Sequence, residues 1–184
     1  GEESLWGDEG CSLRDSVAPS LAGYRPLYYF TLHAWRSLGL GSSEFVLRLP
    51  AAIFGTVAVG LLYRLGARMF GRSVGLLAAF FMAISVLQIN HSQEIRMYSL
   101  AAMLSVLSTW AFVAWMDRGG ALRAAGYAAA TLLLLLTFPL NLFVPVAHGV
   151  FLLLYARSRR ETLILFFAAC ALLALAWMPN FAIN

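Results

Sequence analysis

After residue 43 the chain is a succession of long apolar runs, each closed by a short polar connector. Runs of this kind approach the roughly 20 apolar residues that cross a bilayer, whereas a soluble helix carries only an apolar stripe. The pattern predicts six membrane-spanning helices, at about 44–65, 74–90, 95–116, 123–138, 140–156 and 162–178. The fourth and fifth need separating, because "TLLLLLTFPLNLFVPVAHGVFLLLY" carries no Asp, Glu or Arg. One helix over 121–156 would measure ~54 Å against a hydrocarbon core of ~30 Å. Pro139 in "TFPLN" lacks an N–H and restricts Phe138 before it, so the run breaks there.

Ahead of the first span, residues 1–23 are polar and hold five of the nine acids: Glu2, Glu3, Asp8, Glu9 and Asp15. "PLYYFTLHAWRSLG" comes next, with Pro26 suited to a helix start and Gly39 to a stop. A helix this short reaches only ~20 Å and cannot cross. Its Tyr28, Tyr29 and Trp35 suit a helix lying in the interface. The expected fold is therefore all-α: a polytopic transmembrane helix bundle of about six spans plus an interfacial helix. It divides into an extracytoplasmic segment, 1–43, and a bundle, 44–184.

Composition agrees with a lipid solvent. Charged residues make up 12% of the chain and hydrophobic residues 61%, with a mean hydropathy of +0.76. Soluble domains carry about 25% charged residues. A pI of 9.4 raises nucleic acid as a partner, but the thirteen basic residues, all arginine, are scattered through loops and form no patch. They serve better as topology signals. "YRLGARMFGRS", "DRGGALR" and "ARSRRE" fall on one side of the predicted spans, giving that side eight basic and two acidic residues; the other has five and seven. Positive loops mark the cytoplasm, so the acidic N-terminal segment and "NHSQEIR" share the extracytoplasmic face. Cys11 lies in the first loop and Cys170 in the last apolar run, so no disulfide framework is expected. The chain starts without Met in a polar segment and stops just past an apolar run, which leads us to expect a piece of a longer protein.

Three stretches carry candidate chemistry. In "LWGDEGCSLRD", Asp8 and Glu9 are adjacent. They read either as a solvated loop, with Asp8 capping a helix over 10–14, or as a general base with its partner. In "SEFVLRLP", Arg48 lies about four residues into the first span. It either snorkels to the interface or binds a lipid phosphate with its planar fork. In "NHSQEIRMY", Asn90 and Gln93 have capping-box spacing, and on a helix His91, Glu94 and Tyr98 share a face while Arg96 points elsewhere. Glu94 and Arg96 fit a structural ion pair as well as a substrate contact. His91 and Glu94 could ligate a divalent metal, but two ligands make no convincing site, and no other cofactor is indicated. His33 and His148 sit on apolar helices and are read as packing or hydrogen-bonding residues.

"LWGDEGCSLRD", "RPLYYFTLHAWRSLGLGSSEFVLRLPAAIFG" and "SQEIRMYSL" together resemble bacterial GT-C-type glycosyltransferases. The resemblance is to the dolichyl-phosphate-mannose-protein mannosyltransferase-like family, related to the lipid A aminoarabinose transferases. It implies a plasma-membrane enzyme that moves a sugar from a polyprenyl-phosphate carrier to a hydroxyl acceptor on the extracytoplasmic side. By the same resemblance, Asp8 is the general base and Glu9 supports it. Arg48 holds the carrier phosphate, and Gln93, Glu94, Arg96 and Tyr98, with His91 beside them, line the cavity. Relatives often read "D-HPPLYY" where this chain has "AGYRPLYY", so Tyr24 and Arg25 are candidate determinants of substrate choice. Two other classes stay open: a transporter or lipid flippase whose pathway Arg48 and Glu94 line, and a non-catalytic membrane assembly subunit.

Overall fold

The computed structural model describes residues 7–20, 25–41 and 43–155. Among them the chain is helical and holds no strand: α1 (Gly7–Asp15), α2 (Pro26–Ser37), α3 (Glu44–Phe70), α4 (Arg72–Ile84), α5 (Val86–His91), α6 (Tyr98–Arg118), α7 (Ala121–Thr137) and α8 (Phe143–Tyr155). A 3-10 turn, Pro139–Leu142, joins α7 to α8. The run over 162–178 and the candidate Tyr24 lie outside the described residues.

Local sequence accounts for the main boundaries. The Ser43 side chain accepts the Val46 N–H at 3.4 Å and starts α3, whose other end is Gly71 at φ 95°. Pro26 opens α2 in the first helical turn, where its missing N–H costs nothing. Phe138 is extended (φ −156°, ψ 108°) ahead of Pro139, so the long leucine-rich run is split at the expected place.

The six-span expectation is met only in part. Two helices, α3 with 27 residues and α6 with 21, are long and apolar enough to cross a membrane. Helices α4, α7 and α8 are apolar but shorter. The span expected at 74–90 is interrupted: Ser85 is extended (φ −65°, ψ 121°) and divides α4 from α5. Beyond the break, α5 leads Ser92 against α3 at Gly55, where any Cβ would collide with the Ser92 hydroxyl.

Packing is layered along the bundle. At one end Tyr28 and Leu32 of α2, Leu47 of α3, Ile95 and Met97, Leu100 and Leu104 of α6 and Leu134 of α7 form a single cluster. Toward the other end Phe112, Trp115, Tyr127 and Leu152 form a second, with His148 stacked on Phe112 at 4.3 Å and bonded to the Tyr127 hydroxyl at 3.2 Å. The fully buried hydroxyls of Ser108 and Thr131 satisfy one another at 2.8 Å and tie α6 to α7. Large apolar side chains cover much of the outer surface. Leu76, Phe81, Val86 and Leu87 are each more than 60% exposed, an arrangement suited to lipid rather than water.

Helices α3 and α4 meet through glycine. A Cβ on Gly75 would lie 2.5 Å from the Ala67 nitrogen and 2.6 Å from the Tyr63 carbonyl; one on Gly66 would lie 2.8 Å from the Gly75 Cα. Backbones this close tolerate no side chain, and Gly71 supplies the reversal between them. Gly75→Leu is expected to push the two helices apart and destabilise the protein by about 1–3 kcal/mol, as overpacking does. Thermal unfolding in detergent would register this, with Gly60→Leu, which meets nothing within 4 Å, as the near-neutral control.

Candidate functional site

The candidate site gathers at the end of the bundle where α1 meets the start of α3, the start of α2 and the 92–97 connector. Glu9 is its pivot. Its side chain is 2% exposed; Oε1 accepts the Ile95 N–H at 2.9 Å and Oε2 accepts from Arg48 Nη2 at 3.1 Å. A buried carboxylate needs such partners, and each of these comes from a distant part of the chain. Arg48 Nη2 also reaches Glu44 Oε1 at 2.6 Å, one helical turn earlier on α3. Ser12, on the same side of α1 as Glu9, is hydrogen-bonded to the buried Tyr28 hydroxyl. Burial first, and Tyr29 next, pushes that phenol well above its ordinary range, so Tyr28 stays protonated and holds α1 on α2.

Asp8 points the other way. Its side chain is 78% exposed, and Oδ2 pairs with Arg96 Nη1 at 2.7 Å. Arg96 Nη2 donates to the Tyr98 hydroxyl at 3.2 Å, and its guanidinium carbon lies 5.5 Å from the centre of that ring. The Tyr98 ring packs against His91 at 4.4 Å and edge-on against Phe138 at 6.0 Å. Phe138 in turn lies 5.4 Å from the Arg25 guanidinium. Gly7, Asp8, Glu9, His91, Glu94, Arg96 and Tyr98 line an open pocket of about 470 Å³.

The expected site residues that the structure describes are thus brought to one end, with three adjustments. The 92–97 connector is not helical: α5 stops at His91 and α6 starts at Tyr98. Arg96 therefore does not point away from His91, Glu94 and Tyr98; it lines their pocket and pairs with Asp8 rather than Glu94. Glu94 instead faces His91, Nδ1 to Oε2 at 3.4 Å. The capping-box reading of Asn90 and Gln93 fails for the same reason, because Met97 is the residue that flanks α6. Gln93 is exposed and does not line the pocket, and Arg48 reaches its wall only through Glu9.

Sequence reasoning missed Glu44, Tyr28 and the Ile95 N–H. The Glu44–Arg48 spacing of four was a visible helical ion-pair signal. The other two are tertiary contacts with no local signature. Among the described residues no three or more His, Cys, Asp or Glu side chains stand together to hold a metal; His91 and Glu94 form a pair only. His33 and His148 do hydrogen-bond, as expected of them.

Charge separates the two ends. The far end holds Arg68, bonded through Nε and Nη2 to Asp117 at 3.1 and 2.8 Å and set 5.8 Å from the Trp110 ring. An apolar helical bundle with charged clusters confined to its two ends is the build of a membrane protein. The family-level comparison agrees: residues 24–182 match the dolichyl-phosphate-mannose-protein mannosyltransferase family, and the chain belongs to it. This is a family of membrane glycosyltransferases. The match takes in Arg48 and the 91–98 stretch and begins after Asp8 and Glu9. Neither the curated proteins nor the solved structures contain a significant match.

Removing Glu9 leaves Arg48 facing one carboxylate and the Ile95 N–H facing none. Glu9→Ala is expected to cost about 3 kcal/mol or more of stability. Glu44→Gln, at a half-exposed pair, should cost less than about 1 kcal/mol. Paired thermal melts would check the contrast; equal losses would show that Glu9 is not the pivot.

Proposed function

We infer that the chain is part of a multi-pass glycosyltransferase of a bacterial plasma membrane. It transfers a sugar from a polyprenyl-phosphate carrier to a hydroxyl of a protein, lipid or envelope glycan on the extracytoplasmic face. The single observation that carries this reading is the pairing at the pocket: one exposed carboxylate, Asp8, beside one guanidinium, Arg96, with Glu9 and Arg48 directly behind. Family membership supports the donor class. The charge difference between the two ends supports the topology, with residues 1–43 as the external segment of a bundle of about six spans.

The chemistry assigns the roles. The acceptor oxygen attacks the anomeric carbon, the bond from that carbon to the phosphate oxygen breaks, and the carrier phosphate leaves with the electron pair. The acceptor's proton passes to Asp8, the exposed carboxylate of the adjacent pair. Glu9 is a positioning residue, since both its oxygens are engaged. Arg48 stabilises the departing phosphate, and Arg96, which faces the pocket directly, adds a second guanidinium. Of the two carboxylates on Arg48, Glu44 is the more exposed and is the one a phosphate would replace. Glu94, His91 and Tyr98 surround the sugar or acceptor, and Arg25, reached through Phe138, with Tyr24 tunes which substrate fits.

In the intact protein, Asp8→Asn is expected to lower kcat for sugar transfer by about 100-fold or more while carrier binding stays within about twofold. Unchanged turnover would remove Asp8 from the base role. Arg48→Ala should raise the KM for the lipid-linked donor about tenfold and leave the acceptor KM within about twofold, the loss typical of one charge-assisted contact. Donor and acceptor titrations with a panel of polyprenyl-phosphate sugars measure both.

A further inference from the structure

A second pocket lies away from the first and shares no residue with it. Val17, His33, Arg36, Ser37, Gly39, Gly41 and Leu47 line this hollow of about 520 Å³, at the corner where α1, α2 and the start of α3 converge. Its cation is held by neutral groups. Arg36 Nη1 donates to the Leu13 carbonyl at 3.0 Å and to the Ser16 hydroxyl at 2.8 Å. No carboxylate pairs with Arg36 among the described residues. His33 Nδ1 donates to the Ser16 carbonyl at 2.9 Å, which fixes its tautomer and leaves Nε2 as the ring's remaining polar atom. Two oxygens of one residue, Ser16, thus orient both side chains, and the Arg36 guanidinium keeps its charge.

The surroundings are apolar and uncovered. Val17 and Leu38 are each 62% exposed and Leu40 is 58% exposed; all three line the pocket or adjoin its lining residues in sequence. Trp35, on the same helix, fixes its indole N–H to the Val46 carbonyl at 2.8 Å. A phosphate small enough to diffuse freely would have no use for this apolar border. A group with a phosphate head and acyl chains uses both parts: a forked guanidinium for the phosphate, and exposed hydrocarbon for the chains.

We propose that the α1–α2–α3 corner is a binding site for the headgroup phosphate of an anionic phospholipid, held by Arg36 and separate from the sugar-transfer pocket. The inference rests on the reading that α2 lies at a membrane surface. Bound lipid would pin α2 at the depth that presents Asp8 and Arg96 to substrate.

The test uses the intact protein reconstituted in nanodiscs and then examined by native mass spectrometry. Phosphatidylglycerol, phosphatidylcholine and inorganic phosphate serve as probes. The wild-type protein is expected to retain phosphatidylglycerol at least fivefold over phosphatidylcholine, and millimolar inorganic phosphate should not displace it. Arg36→Gln should lose about fivefold of that preference, the contribution of one arginine near a membrane surface. Because Arg36 also bonds α1, a second variant, Ser37→Asp, places an opposing charge at the pocket without touching those bonds and should lose the preference equally. Retention of the preference in Ser37→Asp overturns the site, and so does displacement of the lipid by phosphate alone. Protein that enters nanodiscs but shows no lipid preference refutes this site only; protein that fails to enter them refutes the membrane reading as well.

Discussion

One buried carboxylate organises the pocket end of this protein. Glu9 joins three pieces of chain that are remote in sequence: the short acidic helix, the arginine on α3 and the N–H of Ile95 in the connector before α6. A charge this deep is stable only with its partners in place, so the position of α1 on the bundle and the path of the connector are mutually dependent. Neighbouring Asp8 inherits its placement from that lock. The exposed carboxylate is held at the rim because its neighbour in sequence is fixed behind it.

The two carboxylates of one dipeptide consequently do different work. One is solvent-facing and paired with a guanidinium that it shares with the pocket; the other is sealed and spends both oxygens on architecture. Their difference comes from α1 alone. Consecutive residues on a helix project about 100° apart, so one turns inward when the other turns out. Tyr28 and Ser12 complete the seat of α1 with a phenol that burial keeps protonated.

Much of the helical framework could be read from the chain. The start of α3 at Glu44, the helix opened by Pro26 and the break at Pro139 each have a local cause in a cap or an imino acid. The Ser85 break had no such cause, since serine neither lacks an N–H nor frees the backbone. The third span was expected from about 95, with a helical face shared by His91, Glu94 and Tyr98, whereas α6 starts at Tyr98. A signal was nonetheless present. Ile95 and Met97 are both 1% exposed, while Glu94, Arg96 and Tyr98 line the pocket. That alternation, carried by a run of turns and bends, is not the 3.6-residue period of a helix. Contacts such as Glu9 to Ile95, by contrast, depend on how elements pack and leave no trace in local pattern.

The glycine contact between α3 and α4 has a mechanical side. Gly66 lies eighteen residues along α3 from Arg48, a rise of about 27 Å. With Gly66 as fulcrum, a tilt of about 5° would carry the guanidinium sideways by about 2 Å, more than half the length of a hydrogen bond. A side chain wedged in at the basic end would thus be felt as misalignment at the acidic end, with no substitution near the pocket.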